Sequence, residues 1–261
     1  MLVLAVLLTG CGNSDYNKAM TLYEAGKYEE AIVLFLELGD YEDSAEKLVD
    51  CQYQMAVAAY KSEDYAVALN MFTALGDYGD APEYRRDAAW KALHVYIEEN
   101  GEKLESTTKI SYVNKSVTGQ VIQTDLATVA SNPEQLILYN GDKIDVMGIQ
   151  AFSDLAITVT RGNPEAKFQM SSQVSGLKSK TTGDGTLNIS SATANTQLNP
   201  SNYLYAYTDI YGKSHSETEM DSTDRAALQE HYTHTLEGVS AILGQTGLGI
   251  TLADLGFEAM G

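Results

Sequence analysis

Between Tyr16 and Leu93 a unit of 37 residues is written twice and begun a third time. YNKAMTLYEAGKYEEAIVLFLELGDYEDSAEKLVDCQ is followed directly by YQMAVAAYKSEDYAVALNMFTALGDYGDAPEYRRDAA. Ala19 returns as Ala56, Tyr23 as Tyr60, Tyr28 as Tyr65, Ala31 as Ala68 and Phe35 as Phe72, and Leu38-Gly39-Asp40-Tyr41 returns as Leu75-Gly76-Asp77-Tyr78. A repeat of this length is one supersecondary unit. It cannot bury its own apolar face and must stack on its neighbours.

The apolar positions inside each unit recur at helical spacing, as in Ala31, Leu34, Phe35 and Leu38, or Ala68, Met71, Phe72 and Leu75. Each unit therefore reads as a helix pair. The first helix is expected to end near Gly26, or Ser62-Glu63 in the second copy, and the next to begin at Lys27 or Asp64. Gly39 and Gly76 stand where a left-handed residue would end that second helix. Asp43 with Glu46, and Asp80 with Glu83, carry the spacing of a capping box for the helix that follows. Pro82 fits the first turn of the last helix, where its missing N–H costs nothing. The expected repeat core is Ala19, Tyr28, Ala31, Phe35, Ala56, Tyr65, Ala68 and Phe72, small residues that permit close helix packing set against large aromatic partners.

GKYEEAIVLF at 26–35 resembles the tetratricopeptide repeat, in which Gly-x-Tyr-x-x-Ala is followed by an aromatic residue four positions on. EDYAVALNMF at 63–72 keeps all of that pattern but the Gly. The period is longer than the ~34 of that family, and LGDYxD replaces its Pro-containing ending. The resemblance implies a short helical-hairpin array with a modest protein-binding groove. A spacer or an oligomerisation platform is the alternative role for such an array.

Ahead of the repeat, MLVLAVLLTG is apolar or small and uncharged, and too short to span a bilayer as a helix. A signal segment is the expectation, with a short buried helix as the alternative. Leu8-Thr9-Gly10-Cys11 resembles a bacterial lipobox, although no Lys or Arg precedes the apolar run. That resemblance implies cleavage before Cys11 and lipidation of its thiol, hence a lipid anchor on the extracytoplasmic face of the cell membrane. Gly12 to Asp15 would then leave at most ~14 Å of extended chain before the first helix. Cys51, the only other cysteine, stands where Ala88 stands one period later, so it is expected to be a small core residue.

The chain has 36 acidic against 17 basic residues, a formal charge of −19. A field of that sign repels nucleic acid and anionic surfaces. Partners are expected to be neutral, cationic or bridged by divalent ions.

Composition changes near Asn100-Gly101, from Ala, Glu, Tyr and Leu to Thr, Ser, Gly, Val and Ile. Two domains are expected after the signal at 1–11: the helical repeats at 12–103 and an α+β domain at 104–261, with the junction at about 100–108. In the second domain TKISYV at 108–113 reads as a strand and Val121 to Ser131 as a short helix ended by Asn132-Pro133. Hairpins are expected around Asn140-Gly141, around Arg161-Gly162-Asn163-Pro164 and around Gly183-Asp184-Gly185. YLYAYTDIY at 203–211 reads as a strand with Tyr203, Tyr205, Tyr207 and Tyr211 on one face. A last helix from Ser222 to Leu243, capped by Asp221 or Ser222, carries a stripe of Leu228, Tyr232, Leu236, Val239 and Leu243. LGITLADLGF at 248–257 is expected as an edge strand or tail. The overall class is α+β, an antiparallel sheet with a packed C-terminal helix after the helical array. At the level of fold it resembles the half-barrel carriers among bacterial lipoproteins.

No catalytic constellation emerges. There is no GxSxG elbow, and Gly244-x-x-Gly247-x-Gly249 follows a helix instead of opening one. His231 and His234 lack a third ligand of a matched motif, and Glu217, Glu219, Asp221 and Asp224 do not have the spacing of a calcium loop. No metal or cofactor is expected. Tyr203, Tyr205 and Tyr207 either fill the core beneath the last helix or line a groove for an apolar or glycan ligand. The expectation is a non-catalytic, membrane-anchored binding or assembly module with a protein partner on the helical repeats. The alternative is a carrier or sensor that holds a small ligand in the second domain.

Overall fold

The structure is a computed structural model that describes residues 9–104, 119–123, 127–146, 149–174, 179–190 and 198–258. It has the α+β class expected, with five helices first and then a sheet and one long helix. The chain divides into two compact units, Met1–Ala92 and Leu93–Gly261, and the division falls inside the fifth helix.

The helices of the array are α1 (Thr9–Glu24), α2 (Tyr28–Leu38), α3 (Ser44–Lys61), α4 (Tyr65–Leu75) and α5 (Ala81–Asn100). α1 begins at Thr9, so Cys11 to Asp15 are helical and do not form the short extended lead expected before Tyr16. Cys51 is fully buried and packs with Ala19, Ala31 and Phe35. Ala56, Ala68 and Phe72 are likewise inaccessible, while Tyr28 and Tyr65 are half-buried.

α1 and α3 both end in a Schellman motif. Lys27 N–H reaches Leu22 O and Gly26 N–H reaches Tyr23 O, each at 2.9 Å; one period later Asp64 bonds Ala59 and Glu63 bonds Tyr60. Gly39 and Gly76 close α2 and α4 with positive φ, as expected, but their ψ of −118° and −122° is not that of a left-handed helix. These are the angles at the first central position of a type II′ turn, which only Gly adopts without strain. The expected Asp43 capping box is also absent. Asp43 makes no side-chain cap, because its carboxylate accepts a hydrogen bond from the Tyr16 hydroxyl instead.

The second unit holds β1 (Glu102–Leu104), β2 (Gly119–Gln123), β3 (Thr128–Asn132), β4 (Gln135–Val146), β5 (Ile149–Thr160), β6 (Glu165–Val174), β7 (Ser179–Asn188), β8 (Leu198–Thr208) and β9 (Ser214–Glu217), then α6 (Ser222–Thr246). All pairings are antiparallel between consecutive strands, so the sheet is one meander. The strand expected at 108–113 lies outside the described residues.

Three local expectations fail for identifiable reasons. Val121 to Ser131 is not a helix but parts of β2 and β3, with Ile122 paired to Val129. Asn132 then makes an Asx turn into β4, its Oδ1 accepting from Glu134 N at 3.0 Å and Gln135 N at 2.8 Å. Asn140-Gly141 is not a turn: both lie inside β4, opposite Leu155 and Asp154. A Cβ on Gly141 would come within 2.5 Å of the Tyr139 hydroxyl and 2.6 Å of Asp154 Oδ1, so this glycine makes room for the buried Tyr139–Asp154 hydrogen bond. Gly183-Asp184-Gly185 likewise lies inside β7, at a register shift against β8. There a Cβ on Gly185 would sit 2.2 Å from the Asn199 carbonyl oxygen and 2.8 Å from the Phe168 ring.

The hairpin at 161–164 does form between β5 and β6, with Gly162 at φ +72° and Asn163 N–H bonded to Thr160 O. Strand alternation puts Leu136, Leu138, Leu155, Ile157, Val159 and Phe168 on one face. All six are buried, and α6 packs on β3, β4 and β5. Its buried stripe includes Leu228, Tyr232, Leu236, Val239 and Leu243, as read from the sequence. Asp221 caps it, accepting from Asp224 N at 2.8 Å. The C-terminal segment is no edge strand. It makes a 3-10 turn at Ala253–Leu255, buries Ile250, Leu255 and Phe257, and bonds Glu258 N–H to Ile189 O at 2.8 Å.

Candidate functional site

In the helical array the contacts repeat as faithfully as the sequence. Tyr16 meets Phe35 edge-on at 6.4 Å, and Tyr53 meets Phe72 at 6.1 Å. Tyr16 meets Tyr41 at 5.9 Å and Tyr53 meets Tyr78 at 5.8 Å; Tyr23 meets Tyr28 at 5.9 Å and Tyr60 meets Tyr65 at 5.6 Å. The Tyr23 hydroxyl donates to Asp50 on the next helix but one, and Tyr60 donates to Asp87 in the same way. The bond to Asp50 holds the Tyr23 phenol protonated, and burial, then the bond to Asp87, does the same for Tyr60. The Asp43 carboxylate pushes Tyr16 up to about 12, and Asp50 raises Tyr23 further. Burial raises the Cys51 thiol to about 11, which makes it a packing group and a poor nucleophile at neutral pH.

The copies differ around this frame, first at Tyr84, which stacks on Phe72 at 5.0 Å where the first copy has Lys47. Lys91 lies over the Tyr60 and Tyr65 rings at 4.5 and 5.1 Å and pairs with Asp87 at 3.0 Å; in the first copy, where Gln54 holds the equivalent position, Lys47 sits over Tyr23 at 4.9 Å instead. The outer faces of α2 and α4 also differ. α2 exposes Val33 and Leu36 at 55% and 61%, where α4 carries Asn70 and Thr73.

In the sheet unit the three tyrosines singled out from sequence separate into two roles. Tyr203 is core: it is buried and its hydroxyl donates to Asp224 Oδ2 on α6 at 2.6 Å. Burial and that bond keep it protonated. Tyr205 and Tyr207 point to the same face but are only half-buried, and they stack on each other at 5.2 Å. Tyr207 also stacks on His215, its cross-strand neighbour on β9, at 4.9 Å. Tyr211 is not on the strand; it lies in the β8–β9 turn and is 88% exposed.

His215 and Asp209 were not among the residues singled out above. His215 Nε2 and Asp209 Oδ2 lie 2.9 Å apart, while Asp209 Oδ1 accepts from Tyr211 N and Lys213 N, both at 2.9 Å. The bond from His215 holds the Asp209 carboxyl below the usual range. The signal that could have found the pair is an Asp six residues before a His across a Gly-containing turn.

Elsewhere in this unit, Leu198, Arg225, Gln229, Glu230 and Thr233 line a hollow of about 470 Å³. Arg225 spans its side by donating to Leu198 O at 3.0 Å. His231 Nδ1 lies 3.1 Å from Ser153 Oγ, and His234 is exposed. Asp221 and Asp224 act as helix cap and tyrosine acceptor, two structural uses of the acidic loop. Among the described residues no group of His, Cys, Asp and Glu is placed to hold a metal ion, and no helix is long and apolar enough to cross a membrane. The chain matches no protein-family profile, no curated protein and no solved structure.

Proposed function

We propose that this protein is a non-catalytic binding or assembly module, held to the extracytoplasmic face of the cell membrane through lipidated Cys11, that engages a protein partner through its helical repeats. The observation that carries the reading is the repetition of whole contact sets after 37 residues, Tyr16–Phe35 with Tyr53–Phe72 and Tyr23–Asp50 with Tyr60–Asp87. A stack built in this way spends its inward side chains on the neighbouring helix and leaves its outward faces to a partner. α1 starts at Thr9, so cleavage before Cys11 would remove only two of its residues and leave the anchor joined to a helix with no linker.

Two measurements test the reading. Expressed in a bacterial host with an alkyne fatty acid, the full chain should carry the label and sediment with membranes, and Cys11→Ala should lose both properties. An unlabelled wild-type chain overturns the anchor. Native mass spectrometry of residues 12–261 should then show the chain without a small ligand. A reproducible added mass, lost on Tyr205→Ala and Tyr207→Ala, would favour the second reading, a carrier or sensor whose half-exposed Tyr205–Tyr207–His215 stack holds an apolar or glycan ligand.

A further inference from the structure

The two copies of the repeat serve as controls for each other. At the frame positions of the second helix the copies agree: Ala31 and Ala68, Phe35 and Phe72, and Leu38 and Leu75 are alike. On the outward face of the second helix they part company. α2 places Glu29, Val33, Leu36 and Glu37 at the positions where α4 places Ala66, Asn70, Thr73 and Ala74. Glu29 and Glu37 stand one helical turn either side of Val33 and both are exposed. The fold does not need this arrangement, because α4 adopts the same helix with uncharged Ala, Asn, Thr and Ala at these four positions, and its own exposed aliphatic residue, Val67, stands where α2 has Glu30.

We infer that the outer face of α2 is a docking site for a cationic amphipathic helix of a partner protein, its aliphatic residues on Val33 and Leu36 and its Lys or Arg side chains on Glu29 and Glu37. This rests on the reading of the array as a protein-binding module and names the surface and the partner's chemistry. An apolar centre with a charged rim is the arrangement of a helix-recognition surface. The rim selects the occupant. A second copy of this chain laid on the face would oppose Glu29 or Glu37 with another carboxylate in either direction of packing. An anionic lipid surface meets the same repulsion. A helix with basic residues one turn either side of an aliphatic pair meets none.

The test uses the full chain and two synthetic helices, one of leucine and lysine and one of leucine and glutamate. The lysine helix should bind with a stoichiometry of one, more weakly as salt rises, and the glutamate helix should not bind. Giving α2 the face of α4 (E29A, V33N, L36T, E37A) should weaken binding at least about tenfold. Giving α4 the face of α2 (A66E, N70V, T73L, A74E) should raise the stoichiometry to two, an outcome that does not depend on the first variant folding well. Lysine-helix binding that neither exchange alters would overturn the inference, since net charge alone would explain it; so would no binding. A dimer abolished by V33N and L36T, or flotation with phosphatidylcholine vesicles lost on the same exchange, would overturn it in favour of a second copy or a lipid surface. Should the inference fail while partner crosslinks still arise elsewhere on the array, the module reading survives it.

Discussion

The first and second copies of the repeat share one backbone but reach it with different residues. Two positions in each copy take a left-handed conformation: Gly26 at φ +72° and Glu42 at φ +50° in the first, Glu63 at φ +65° and Gly79 at φ +53° in the second. Each copy has Gly at one of these positions and Glu at the other. The helix packing around Phe35 and Phe72 therefore fixes the turn conformations even where the local residue resists them. The comparison separates three kinds of position: buried ones that repeat or change only among small residues, as Cys51 does to Ala88, turn positions that tolerate a strained residue, and outward ones that are available to diverge.

The largest effect should come from the buried aromatics. Phe35→Ala and Phe72→Ala, at sites 1% and 0% exposed, should each cost about 4 kcal/mol in urea unfolding. Costs that differ severalfold would break the equivalence of the copies. Gly39→Ala and Gly76→Ala should each cost about 2 kcal/mol, because their φ of 57° and 59° with strongly negative ψ admits no Cβ cheaply. Glu42→Gly and Glu63→Gly should instead stabilise by about 0.5 kcal/mol each, the relief of a left-handed residue less the extra freedom of Gly in the unfolded chain. Destabilisation by either would show that its Glu side chain contributes more than its backbone costs.

The smallest effect is in pH. Tyr16 has a folded pKa of about 12, above the ~10 of an unfolded chain. Its contribution is fully present below pH ~10 and is lost as pH rises through the folded value. Tyrosinate absorbance should show a late-titrating group that Tyr16→Phe removes.

The array was more legible in the sequence than the sheet, and glycine shows why. In the helices Gly26, Gly39 and Gly76 mark ends, because a helix ends through local hydrogen bonds that nearby residues specify. In the sheet Gly141 and Gly185 mark close approach across strands, to Tyr139 and Asp154 or to Asn199 and Phe168, and only the register brings those groups together. The same turn-like dipeptides therefore predicted hairpins inside continuous strands. β2 and β3 were missed for a related reason: the short apolar runs around Ile122 and Val129 carry no period long enough to separate strand from helix. The stripe on α6 was read correctly because five residues at helical spacing specify one face. At the candidate surface Tyr203, Tyr205 and Tyr207 share a strand face as expected, but the sequence could not show that Tyr203 is buried and bonded to Asp224 while Tyr205 and Tyr207 stay half-buried.

The central claim is that partner binding belongs to the helical array. A photo-crosslinking amino acid placed in the full chain at Val33, Asn70, Tyr205 or Ile210 tests it most directly. The account predicts protein adducts from the array positions, strongest at Val33. Adducts confined to Tyr205 and Ile210, with none from either helix, would contradict it.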